Sequence, residues 1–363
     1  MEKVNEPRLA PFFLNNLGKN RHILFLGSGR KQSKNARSYY LMQRLDKKLI
    51  LYLFVFFLPV LLVSLILFWR ERNAPSLSAA KRNEKQFDWV SYYGSGNLAM
   101  LSRFGLIDID AGDSAGNYTT ADISGLKSSG SVVVSYLNIG ACETFRSYWN
   151  QARAFSLGAY QGWPGEFWMD AGNPGWRNLI VDTVAPRLAA KGVQGFYLDN
   201  IELFQQFPNR PDIRAGIVDI VYRLRQKYPR MLIIAQNGID ILNDPGPDGR
   251  QFWQYINAEA HEEVSSTYDP YRKIDTAVSS ALIDRLSVWK VKGLLIYTLD
   301  YAGDNSGLAG YDYRRSLAAG FHPYVSNKNL NKVYLWRFGA GSYRYFPGPA
   351  SAAATRADRT YGT

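Results

Sequence analysis

The 363-residue chain has one cysteine, Cys142, and three histidines, His22, His261 and His322. A single thiol excludes an intrachain disulfide and any Cys-x-x-Cys metal or redox motif. Histidines without His-x-His or His-Glu-x-x-His spacing offer no zinc site, so neither metal nor cofactor is expected. A nucleotide-binding open sheet is disfavoured too, because no Gly-x-Gly-x-x-Gly follows the first apolar strand. The globular part also lacks an excess of charge. The formal net charge is +12, but residues 1–85 hold 16 Lys/Arg against five Asp/Glu, leaving 27 basic and 26 acidic side chains in residues 86–363. A nearly neutral body provides no basic face for DNA or RNA, so no nucleic-acid partner is expected.

What is present begins with an apolar run. From Leu49 to Trp69 the chain reads LILYLFVFFLPVLLVSLILFW, 21 residues without a charge, the length that crosses a bilayer as a helix. Pro59 is tolerated in such a helix, and Trp69 stands where an interfacial aromatic is expected. Basic residues flank both ends, with the larger group, including Arg44, Lys47 and Lys48, on the N-terminal side. That bias predicts a single-pass signal anchor at 49–69 with the body of the protein extracytoplasmic, either periplasmic or extracellular. A cleaved signal peptide would have a shorter apolar region of about 7–15 residues. Residues 1–48 are basic and aperiodic and read as disordered. Met42 is an alternative start that would place MQRLDKK directly before the apolar run. Residues 70–86 read as a linker, and 339–363, rich in Gly, Ala, Pro and Arg, as a disordered tail.

Between them, residues 87–338 alternate short apolar runs with helical spacing, the pattern of parallel β/α units. Strands are expected at Val90–Tyr93, Gly105–Ile109, Val132–Asn138, Gly195–Asp199, Met231–Gln236, Trp253–Asn257, Leu294–Leu299 and Phe321–Val325. Helices are expected at Trp176–Ala190, Asp212–Tyr228, Thr276–Lys290 and Tyr311–Ala319. Eight strands in about 250 residues predict an α/β fold, a (β/α)8 TIM barrel, preceded by a single N-terminal transmembrane helix.

Active sites of such barrels lie where the strands end, and here those ends are acidic or amidic. They carry Asp108 and Asp110, Tyr136 and Asn138, Asp199 and Asn200, Gln236 and Asn237, Glu259 followed by Glu262 and Glu263, and Asp300 with Tyr301. Asp and Asn often cap helices, but capping does not call for Glu or Gln at successive strands. Carboxylates without metal ligands, a Ser/His pair or a phosphate loop point to glycoside hydrolysis, which needs two carboxyl groups flanking one bond. Tyr148, Trp149, Tyr160, Trp163, Phe167 and Trp168 crowd the connection after the third strand, where sugar faces would stack.

SYLNIGACETFRSYW (135–149), GEFWMD (165–170), Trp176, GFYLDNIELF (195–204) and a Glu pair after the sixth strand together resemble the endo-α-1,4-polygalactosaminidase-like glycoside hydrolases. The resemblance spans roughly residues 87–335. It implies a barrel enzyme acting on galactosamine-rich exopolysaccharide, with a catalytic Asp after strand four and a catalytic Glu after strand six, here Asp199 and Glu262, with Glu263 one residue away. Where similar sequences read Gly-Glu after strand three, this chain has Gly140-Ala141 and keeps Glu143. Substrate contacts are expected from Asp108, Asp110, Tyr136, Asn138, Trp168, Asp170, Asn200, Asn237, Glu263, Tyr297 and Asp300. A retaining mechanism would use Asp199 as nucleophile and Glu262 as acid and then base. An acidic cleft on a neutral body suits a cationic, de-N-acetylated polymer. The other functional class is a non-catalytic carbohydrate-binding barrel that assists polysaccharide assembly or export.

Overall fold

The computed structural model describes residues 85–338. Three strands open the barrel: β1 (Phe87–Tyr92), β2 (Phe104–Ile109) and β3 (Val132–Asn138). A long excursion after β3 forms a small antiparallel sheet from β4 (Ala141–Glu143), β5 (Ser156–Ala159) and β6 (Glu166–Met169), in the order β4-β6-β5. The barrel resumes with β7 (Gly195–Asp199), β8 (Leu232–Gln236) and β9 (Ala258–Glu262). A hairpin of β10 (Ser266–Tyr268) and β11 (Tyr271–Lys273) precedes the last two strands, β12 (Leu295–Tyr301) and β13 (His322–Ser326).

The eight-stranded sheet runs β1-β2-β3-β7-β8-β9-β12-β13, and its neighbours pair in parallel. Its ends meet: the Trp89 indole donates to the His322 carbonyl at 2.8 Å, and the Trp89 ring packs on Tyr197, Tyr297 and Tyr324 across the interior. Val-, Ile- and Leu-rich strands are what a sheet covered on both faces requires. Helices at Thr120–Ser128, Pro211–Lys227, Thr276–Val291 and Ser306–Ala318 form the outer layer together with a broken helix over 174–190. This is the predicted TIM-like barrel.

Three expectations differ from what is observed. The predicted strand at Trp253–Asn257 is a 3-10 turn at Phe252–Gln254, with Gln251 and Gln254 capping each other, and the sixth strand is the polar stretch Ala258–Glu262. Apolarity misled there because Phe252 and Tyr255 are buried from a turn, whereas β9 carries the carboxylates. The helix expected at Trp176–Ala190 contains a π turn at Leu179–Val184 between two α segments. The linker ends earlier than residue 86, because Lys85 is buried and donates to the carbonyls of Ser102 and Ser129, both at 2.7 Å.

The segments assigned to 1–48, 49–69, 70–84 and 339–363 lie outside the described residues. Among the described residues no helix is long and apolar enough to cross a membrane.

Candidate active site

Strand geometry determines which side chains reach the barrel mouth. Asp199 is the last residue of β7 and Glu262 the last of β9, and both line one open cavity of about 680 Å³. The residues following β7, β8 and β9, Asn200, Asn237 and Glu263, all have left-handed backbone, with φ of 57, 56 and 51°. Asn adopts this conformation most readily among residues with a side chain, and it turns the chain sharply out of the strand.

Asp199 accepts hydrogen bonds from the Tyr136 hydroxyl (2.8 Å) and from the Asn200 backbone N–H (2.7 Å). Burial pushes its carboxyl up to about 6 despite these donors. Glu262 is held at one oxygen by the Tyr301 hydroxyl and at the other by the Asn237 amide (3.3 Å), whose oxygen in turn accepts the Glu262 N–H at 3.0 Å. Burial and the nearby Asp199 charge raise it to about 7. The Asp199 charge is thus felt at Glu262, and the two carboxyls are held at different values.

Four further carboxylates share the cavity: Asp110 and Glu143, which pair with Arg146, and Glu166 and Glu202, which strand-end reasoning did not single out. Glu166, at the start of β6, accepts from Asn138 at 2.9 Å and is raised to about 8 by burial and then by Glu143 and Asp199. Glu202, in the turn after β7, is raised to about 8 by burial and Asp199. Glu166 lies within the GEFWMD segment, but its strand belongs to the small sheet rather than the barrel, so the rule of looking at barrel strand ends passes over it.

The other expected contacts divide. Asp110, Tyr136 and Asn200 line the cavity. Asp110 does so ion-paired: Arg146 bonds it at 2.9 Å and bonds Glu143 at 2.6 Å, one cation shared by two carboxylates. Asn138 is buried behind the wall, where it joins Tyr136, Glu166 and Asn200. Asn237 and Glu263 border a smaller neighbouring pocket of about 310 Å³ that also touches Glu202 and Glu262. Glu262 rather than Glu263 therefore faces the main cavity.

The remaining five expected contacts line neither this cavity nor its smaller neighbour. Asp108 is fully buried and receives the Ser91 and Tyr93 hydroxyls at 2.8 and 2.9 Å, so it supports Tyr93, which does reach the cavity. Asp300 is fully buried on the outer side of β12 and accepts the Ser265 and Ser266 N–H groups, whereas the next residue, Tyr301, points to Glu262. Side chains alternate along a strand, so choosing Asp300 over Tyr301 selected the wrong face. Tyr297 is barrel core beside Trp89 and His322. Trp168 is buried and stacks under Tyr160 with centroids 3.7 Å apart, and Asp170 pairs with Arg210 at 2.8 Å. Of the six crowded aromatics only Tyr160 and Trp163 reach the cavity; Trp149 and Phe167 pack together at 5.0 Å.

Residues 70–340 match the family described as glycoside-hydrolase family GH114. An uncharacterized protein of Deinococcus radiodurans is 30% identical over 272 residues, covering 72% of this chain and 85% of that protein. A second relative, from Thermotoga maritima, is 26% identical over 240 residues, 60% of this chain and 72% of its own length. Among solved structures, the glycoside hydrolase domain of PelA from Pseudomonas aeruginosa is similar with a TM-score of 0.59 at 23% identity, covering 68% of this chain and 96% of that one. Ega3 of Aspergillus fumigatus, in complex with galactosamine, is similar with a TM-score of 0.52 at 17% identity, covering 68% and 93%. At these identities the two structures speak for the fold.

Proposed function

The chain belongs to glycoside-hydrolase family GH114 and is a glycosidase, and from that premise we propose that it hydrolyses an α-1,4-linked, galactosamine-rich polysaccharide by a retaining mechanism with Asp199 and Glu262. The observation that carries this reading is the pair itself: two carboxyls at the mouth of one cavity, Asp199 raised to about 6 by burial and Glu262 to about 7 by burial and the Asp199 charge.

Between those values Asp199 is largely ionised and Glu262 largely protonated. Asp199 attacks the anomeric carbon as the glycosidic bond breaks, and the Glu262 proton passes to the leaving oxygen. Glu262, now a carboxylate, takes a proton from water as that water attacks the same carbon and releases Asp199. Tyr136 and the Asn200 N–H stabilise the Asp199 charge, while Tyr301 and Asn237 receive Glu262 in its ionised stage.

The galactosamine assignment is supported by charge. Among the described residues Asp199, Glu262, Glu166 and Glu202 line the cavity without an Arg or Lys ion pair; Asp199 is ionised, and Glu166 and Glu202, raised to about 8, would ionise beside a bound ammonium, so the lining favours an ammonium-bearing sugar. The solved neighbour whose structure holds galactosamine is consistent with this. Incubating the purified protein with galactosamine, glucosamine and neutral polymers and identifying released oligosaccharides tests it. Release from α-1,4-galactosamine polymer is expected, with newly formed ends of α configuration by NMR. β ends would replace retention by inversion.

The barrel is further proposed to act outside the cytoplasm, held by residues 49–69, a reading supported by the 21-residue uncharged run and its basic flank. Protease added to cells with an opened outer envelope is expected to digest the barrel. Protection, while an extracytoplasmic control is degraded, would reverse the orientation.

A further inference from the structure

We infer that Lys328 selects an uncharged, N-acetylated sugar at one subsite of the cleft, so that the enzyme reads a partly acetylated chain rather than a uniformly cationic one; this rests on the galactosamine reading above. Lys328 lines the same cavity as the catalytic pair, in the segment after β13. Its ammonium lies 5.2 Å from the Trp163 ring centroid and 4.8 Å from that of Tyr268, and both rings also line the cavity. Trp163 comes from the loop between β5 and β6, and Tyr268 ends β10, so the lysine stands between two excursions from different barrel strands.

The backbone around it is fixed. The Lys328 N–H donates to the Tyr271 hydroxyl at 3.1 Å, and the Leu330 carbonyl accepts the Tyr93 N–H at 2.7 Å. Tyr268 packs edge-on against Tyr301, with centroids 5.0 Å apart, and Tyr301 holds Glu262. Lys328 is thereby linked, ring by ring, to the proton donor.

Lys328 differs from the other cation in the wall. Arg146 is satisfied by Asp110 and Glu143. Among the described residues the Lys328 ammonium makes ring contacts and no ion pair. Aromatic faces stabilise a cation but take up few of its N–H donors. Those donors are left for a ligand oxygen, and an acetamide carbonyl is a suitable acceptor. A sugar ammonium at the same place would meet a fixed like charge, which disfavours it. An acidic sugar is opposed by ionised Asp199. The acidic part of the cleft and Lys328 therefore ask for opposite states of the amino group at different positions along one chain.

The test compares kcat/KM of the full chain, and of its Lys328→Met and Lys328→Arg variants, on fully de-N-acetylated and on partly N-acetylated α-1,4-galactosamine oligomers. Mass spectrometry of the products locates the acetyl groups relative to the cut. For the wild type a preference for partly acetylated oligomers is expected, with an acetylated unit at a constant position. Lys328→Met is expected to shift the ratio of the two kcat/KM values about tenfold towards the de-N-acetylated oligomer, less at high salt, and Lys328→Arg to keep the wild-type ratio. An unchanged ratio in Lys328→Met, or an equal loss on both oligomers as from a loosened loop clamp, overturns the inference. If the wild type cleaves neither oligomer, the galactosamine reading itself fails and this inference with it.

Discussion

In the proposed retaining mechanism Asp199, as nucleophile, must present an ionised oxygen, and Asp199→Asn preserves its shape while removing that oxygen's charge. Turnover is expected to fall by roughly three orders of magnitude or more, with polymer binding retained, when both are measured on one preparation. Glu262→Gln should instead recover with substrates whose leaving group needs no proton, whereas Glu166→Gln and Glu202→Gln should not depend on the leaving group. Recovery by Glu166→Gln alone would move the acid to β6. The pH profile follows from the same pair. Protonation of Asp199, raised to about 6, removes activity as pH falls, and ionisation of Glu262, raised to about 7, removes it as pH rises, so kcat/KM should peak between about 6 and 7. Tyr301→Phe removes a hydrogen bond that favours ionised Glu262, so the alkaline limb should move up by about one pH unit.

At the scale of elements, two close backbone approaches hold the site in place. A Cβ on Gly140 would meet the Asn200 carbonyl at 2.1 Å, and one on Gly216, in the helix 211–227, would meet the Ala171 carbonyl at 1.9 Å. Gly216→Ala is expected to cost about 1–3 kcal/mol by urea denaturation with the catalytic pH profile unchanged, whereas Gly140→Ala should also lower kcat by displacing Asn200 and Asp199. The helix 306–318 packs on β12 through a buried polar contact. Ser266 donates to Asp312 at 2.8 Å, and Asp300 accepts from the backbone of the same loop. Burial and the Asp300 charge raise Asp312 to about 8. A carboxyl with a raised folded-state value binds its proton more tightly when folded, so its contribution is complete below the unfolded value of about 3.9 and is lost as pH rises towards about 8. Asp312→Asn should therefore lose less stability than the wild type between pH 5 and 8, read as the shift in urea midpoint.

For the whole molecule, the near-neutral body and its acidic cleft make substrate capture dependent on ionic strength. Raising salt should raise KM for a de-N-acetylated polymer while leaving kcat nearly constant. The periodicity of apolar runs was sufficient for the barrel, because a parallel sheet covered on both faces needs continuous Val, Ile and Leu segments. That Asp199 and Glu262 reach the barrel mouth was legible through strand-end chemistry together with the GFYLDNIELF resemblance. Strand composition did not reveal β9, since its five residues, AEAHE, include two glutamates and a histidine. Nor did it reveal the face of β12: Asp300 and Tyr301 are adjacent in sequence, but the pleat sends one to the outer layer and the other to Glu262. Glu166 and Lys328 enter the cavity from a loop sheet and from the segment after the last strand, contributions that no local pattern announces. Sequence by itself determined seven of the eight barrel strands and the supply of carboxylates, because periodicity and residue chemistry are local. Tertiary structure alone decided which carboxylates share a cavity and which are ion-paired or buried, because those properties depend on side chains that meet across roughly 35 to 65 residues of chain.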